Sequence, residues 1–275
     1  MRRVPAQSGM CCKESERGSP RTFLCISALL FASCAAITIA WCGSMSGKRG
    51  MPMPGGWTMS MAWMPMPRQT WLGSAGSFLG MWMVMMAAMM LPTLTPTLWR
   101  YRKAIRGSGE SHLDRLTMLV GAGYFLVWGA LGAVLFPTGA ALAAIEMQLP
   151  ALARAVPVGA GAVVLFAGAL QFSGWKLHHL ACCREAPGRG RILRADRGLA
   201  WRHGLRLGLH CSFCCAGSTT ILLVIGVMDL RAMAVVTAAN ILERFAPQGE
   251  RVAQVLGTVA VAAGLLMITR AITHG

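Results

Sequence analysis

Apolar runs close to the ~20 residues that cross a bilayer recur between residues 22 and 270, and hydrocarbon offers a backbone no hydrogen-bond partners. Each run must close its own bonds, which an α-helix does at about 1.5 Å of rise per residue. The expected helices cover 22–42, 74–98, 116–136, 156–175, 208–227, 229–245 and 252–270. The chain therefore reads as an all-α, polytopic integral membrane helical bundle of about seven transmembrane helices. The sixth opens on Asp229 and Arg231, and its second reading is a re-entrant piece, which leaves six spans.

The rest of the chain divides around that frame. Residues 1–21 form a basic tail expected to be disordered and cytoplasmic. Residues 22–275 form one membrane domain, with a Met/Pro-rich outward loop at 43–71 and a basic cytoplasmic loop at 176–206. A net charge of +16 would suggest nucleic acid in a soluble chain. Here only 13% of residues are charged, and the basic ones fall between apolar runs, so topology accounts for them and nucleic-acid binding is not expected.

Of the 26 Lys and Arg residues, only Lys48, Arg49, Arg68, Arg154, Arg231 and Arg270 lie on the second side if the N-terminus is cytoplasmic. The positive-inside rule then orients the seven helices in a bacterial inner membrane, with the C-terminus outward. The first run has a second reading as a cleaved signal, since basic residues precede it and small residues cluster at Ala32–Ala36. Its length favours an anchor.

Three thiols and an imidazole sit at the mouth of the fifth run: His210, Cys211, Cys214 and Cys215. In a helix Cys211 is one turn from both Cys214 and Cys215, so soft sulfur ligands can converge on a thiolate-seeking ion such as Cu(I) or Zn(II). In the basic loop His179 and Cys183 are four apart, which adds one nitrogen and one sulfur on a shared helical face. Reduced thiols are expected on the cytoplasmic side, so these cysteines are read as ligands rather than disulfides.

Methionine extends the theme. Met45, Met51, Met53, Met59, Met61, Met64 and Met66 lie in the outward loop, where Pro and Gly are expected to forbid regular structure. Thioethers need no deprotonation and suit Cu(I); the alternative is an interfacial loop dipping Met and Trp among headgroups. Met81, Met85 and Met89 recur every four residues along helix two as a ladder of thioethers, and plain core packing is the favoured reading of them. Pro92 and Pro96 are expected to kink or end this helix. Met228 closes the fifth run, and Asp229, Asn240 and Glu243 lie in or near the sixth. Polar groups there are costly and often functional, although helix-end polarity, including an Asp229–Arg231 pair, is the plainer reading.

From Trp71 to Leu266 the chain resembles a bacterial family of predicted metal-binding integral membrane proteins with no assigned function. Trp82, Val84, Met85, Ala88, Met89, Met90 and Pro92 fit its helix-two pattern. Gly204, Gly208, Cys211, Cys214, Cys215, Gly226, Val227, Met228, Leu230, Met233 and Glu243 fit a later and more specific block. Departures fall at Ala216, Asp229, Arg231 and Arg244, where the family usually has Trp, Asn, Trp and Lys. Its Lys-x-x-Cys-Leu-x-x-Cys-Arg loop reads Lys176, His179, Leu180, Cys183 and Arg184 here, so one ligand-capable residue replaces another. The resemblance implies a metal site and nothing finer.

These readings give three function classes. The first is a membrane protein that binds a soft metal, with copper(I) favoured and zinc the alternative, and handles or transports it. Its candidate ligands are Cys211, Cys214, Cys215, His210, His179, Cys183, Met85, Met89, Met228 and Glu243. The second is a thiol redox or metal-loading accessory factor, and the third is a structural membrane subunit without metal. The expected partners are the lipid bilayer, the metal ion, and a metallochaperone or other membrane subunit. No phosphate loop or nucleophile elbow is present, so nucleotide-driven pumping by this chain alone is not expected, and an enzyme is the less favoured reading.

Overall fold

In the computed structural model the described residues are 20–46, 51–53, 57–59, 63, 70–105, 110–185 and 194–274. Among them the chain is almost wholly helical. The expected loop ligands Met61, Met64 and Met66, and the tail with Cys11 and Cys12, lie outside the described residues.

Helix α1 (Pro20–Ser46) leads to a two-residue antiparallel ladder of β1 (Met51–Pro52) and β2 (Thr58–Met59), small regular structure where none was expected. Then come α2 (Trp71–Ala104), α3 (Glu110–Gln148), α4 (Pro150–Leu170), α5 (Gly174–Glu185), α6 (Arg197–Cys214), α7 (Ala216–Ile225), α8 (Leu230–Phe245) and α9 (Gly249–His274).

Three differences from the expectation bear on the site. First, α2 continues through Pro92 and Pro96 to Ala104 rather than ending there. Buried Thr93 donates back to the Met90 carbonyl and Thr95 to that of Leu91, so polar groups beside the prolines stay bonded within the helix. Second, the basic loop is largely helical, supplying α5 and the first half of α6. Arginines at 197, 202 and 206 break the apolar run, yet one face buries Ala200, Gly204, Leu207, Gly208 and Cys211. Asp196 caps that helix by accepting from Leu199 N at 2.9 Å.

Third, the expected fifth helix is broken. The axes of α6 and α7 bend by 60° at Cys215. Among the described residues five helices are long and apolar enough to cross a membrane by length and composition: α1, α2, α3, α4 and α9. The α6–α7 pair makes a sixth if counted as one. The 16-residue α8 is not among them. Its N-terminus is capped by Asp229, whose Oδ1 accepts from Arg231 N at 2.8 Å and Ala232 N at 3.0 Å. Asp229 thus serves the backbone of Arg231 as a helix cap.

Two tight packings set the geometry. Gly204 and Gly208 let α6 lie against α3: a Cβ at 204 would press into the Val120 carbonyl, and one at 208 would come within 2.9 Å of Tyr124 O. This spacing is the small-x-x-x-small pattern that lets helices approach closely. It sets Cys211, one turn on, beside the Tyr124 ring. The other is α4 against α9, again through close-set glycines. The main core gathers Met81, Trp82, Met85, Met86, Met89 and Met90 of α2 with Tyr124, Trp128, Cys183, Cys211, Cys214 and Cys215.

Candidate metal centre

The four thiols Cys183, Cys211, Cys214 and Cys215 are each at most 2% exposed. The break at Cys215 arranges them. It leaves the last carbonyl of α6 open, and Lys176 of α5 fills the gap, donating from Nζ to Cys214 O at 2.6 Å and to Glu243 Oε2 at 2.7 Å. A cation at a helix C-terminus also meets the negative end of the helix dipole. The Lys176–Glu243 pair is almost fully buried, so α5, α6 and α8 are pinned together at the break. Glu243, expected as a ligand, is in this structure the partner of Lys176.

The thiols form a chain of neighbours. Cys183 neighbours Cys214, Cys214 neighbours Cys215, and Cys215 neighbours Cys211, all as free thiols. Among the described residues no three His, Cys, Asp or Glu side chains already converge as one ligand set. At the Cys211 end the Tyr124 hydroxyl lies 2.9 Å from Sγ, and the Met90 thioether lies 3.9 Å from it.

A guanidinium reaches the same end. Arg244 Nη2 donates to Cys211 Sγ at 2.6 Å and stands 3.8 Å from Cys183 Sγ. Arg244 is 9% exposed, and its Nε is buried with no partner among the described residues. Among the described residues no carboxylate pairs with it. A buried cation is stable only beside negative charge, and sulfur supplies what the surroundings offer. A cavity of ≈ 1020 Å³ opens beside it, with Arg100, Cys183, Arg184, Arg244 and Glu250 in its wall.

The remaining candidates are spread more widely. His179 and His210 meet each other, Nδ1 to Nδ1 at 2.9 Å, half-buried between α5 and α6. Burial, with His210 and His178 alongside, holds the His179 imidazole below its usual range, so it is neutral and has a lone pair to give. Met85 and Met89 are buried in the α2 core, but the thioether at Cys211 belongs to Met90. Met228 lies elsewhere, 4.0 Å from Cys42 Sγ.

Sequence reasoning missed Tyr124 and Met90 as neighbours of Cys211, and missed the burial of Lys176 and Arg244. Both cations stood in the motif positions noted above. A positive residue held inside an apolar block was the available signal.

Residues 79–267 match the family model PpoB2, described as a copper chaperone, and the chain belongs to that family. No curated protein and no solved structure matches the chain.

Proposed function

We propose that this member of a copper chaperone family is a membrane protein that holds Cu(I) between buried thiolates and hands it on. The observation that carries the reading is Arg244, a buried guanidinium that donates to the Cys211 sulfur, a group that becomes anionic on ionising to thiolate. Two thiolates on Cu(I) leave a net charge of −1, and Arg244 cancels it. Two thiolates on Zn(II) are already neutral, and the guanidinium would then be an uncompensated buried charge. The charge balance therefore favours a monovalent soft ion. Cys211 with Cys215, or Cys183 with Cys214, supplies the pair, and Met90 is the neutral third ligand for the Cys211 end.

Membrane residence is supported by apolar side chains turned outward, among them Leu29 at 67%, Leu72 at 77% and Ile272 at 69% exposure. We place the N-terminus in the cytoplasm of a bacterial cell and treat residues 22–275 as one membrane domain. In that frame α8 carries the chain from the Met228–Cys42 contact back to the level of α5, where Arg184 donates to the carbonyls of Glu243 and Ala246. The cavity at Cys183 and Arg244 is the release route, open to a soluble metallochaperone or apoprotein on the basic side. Passage across the membrane is a second reading, favoured by the buried row Met81, Met85, Met89 and Met90 that leads along α2 to Cys211.

The test is the copper content of the reduced, detergent-purified protein beside its Cys211→Ser, Cys214→Ser, Cys215→Ser variant. Near-stoichiometric copper lost in the variant supports the reading, and equal copper in both overturns it. Copper uptake into sealed vesicles decides between handover and passage.

A further inference from the structure

Helices α5 and α6 pack across each other, with Trp175 against Phe213 and Lys176 Nζ on the Cys214 carbonyl. His179 meets His210 at this contact, and Cys183 and Cys214 stand four residues on along their own helices. Two sets of metal-capable side chains thus lie at one interface, separated along each helix by a turn of about 5.4 Å. They differ in setting. The imidazole set is half-buried among Trp175 and Phe213, themselves about half exposed, whereas the thiol set is sealed in the core. It also opens on a different face of α5 from the cavity, which is walled by Leu177, Leu180, Ala181 and Arg184.

We propose that His179 and His210 form a bis-imidazole docking site for Cu(I), from which the ion moves one turn along α5 and α6 to Cys183 and Cys214. This rests on the copper-thiolate reading above and adds a loading step to it. Cu(I) accepts two ligands in line, so the two Nδ1 atoms, now sharing one hydrogen bond, need only part slightly to admit it. Loading breaks that bond, moves the shared Nδ1 proton to the Nε2 of its own ring through solvent, and forms two Cu–N bonds. Transfer then forms two Cu–S bonds as the Cu–N bonds break. The two thiol protons leave to solvent by way of the half-exposed imidazoles, which end neutral, and copper remains Cu(I) throughout. Exchange across a single turn avoids releasing a bare ion into the apolar core, where an isolated charge is prohibitive.

The first test removes the thiols. A chain with Cys183, Cys211, Cys214 and Cys215 changed to Ser is loaded with one equivalent of Cu(I) and examined by copper-edge X-ray absorption. A two-coordinate nitrogen shell that vanishes on His210→Ala is expected. A shell indifferent to His210→Ala, or no bound copper in a folded chain, overturns the docking site. The second test keeps every thiol and follows the filling of the thiol site by buffered Cu(I). His179→Gln with His210→Gln keeps a hydrogen bond but offers poor copper ligands. It should slow filling by about tenfold or more, with final copper content unchanged, and His210→Met should restore much of the rate. A Gln pair that loads at the native rate also overturns the proposal. A native chain that never fills its thiols, while the thiol-free chain shows the nitrogen shell, contradicts the copper-thiolate reading and leaves the docking site standing.

Discussion

Arg244 Nη2 lies 2.6 Å from Cys211 Sγ, joining the last turn of α8 to the last turn of α6 in the interior of the bundle. The contact brings a permanent positive charge to a group that bears negative charge only as thiolate. That pairing makes sense of a site that ionises when it takes up metal.

Arg244→Met should weaken Cu(I) binding by at least about tenfold, or roughly 1.4 kcal/mol, while Zn(II) binding falls less or rises. Arg244→Lys keeps the charge and should retain most of the preference. Competition titrations against chelators of known affinity read both numbers. Equal losses for the two metals would remove the charge argument.

Lys176→Met should lower the thermal stability of the detergent-solubilised protein strongly, because Glu243 is left buried and unpaired, an effect of about 3–5 kcal/mol. Glu243→Gln should do the same from the other side. Changing both together to Met and Leu should recover part of the loss. A double variant as unstable as the sum of the singles would show that the pair is not the source.

Met90→Leu preserves volume, so its effect on stability should stay under about 1.5 kcal/mol, while Cu(I) retention falls through loss of the thioether at Cys211. Met228→Leu, remote from the thiols beside Cys42, should leave copper content unchanged. Equal copper loss in the two variants would mean that methionine acts through packing.

Gly204→Ala should push α6 from α3, with an overpacking effect of about 1–3 kcal/mol and lower copper retention as Cys211 shifts from Tyr124. Gly121→Ala, where a Cβ would meet nothing within 4 Å, is the matched control. Thermal unfolding and copper content of the pair test whether the α3–α6 contact places the thiol.

The sequence made the thiols and the apolar helices legible, because each is a local pattern. Cys211, Cys214 and Cys215 stand within five residues. What stayed hidden depends on contacts distant along the chain. Lys176 caps Cys214 from 38 residues away, and that contact accompanies the break that hydropathy had read as one continuous helix. The first half of α6 reads as loop because its exposed arginines interrupt the apolar run while its buried face is narrow. Periodicity could put Met81, Met85 and Met89 on one face, but only the packing of α2 against α6 could select Met90 as the neighbour of Cys211.

The most direct test of the central claim is copper-edge X-ray absorption on the reduced, copper-loaded native chain. The account predicts Cu(I) in a sulfur shell of two or three ligands that is lost when Cys183, Cys211, Cys214 and Cys215 are changed to Ser. A native spectrum dominated by nitrogen or oxygen, or a sulfur shell that survives those changes, would contradict it.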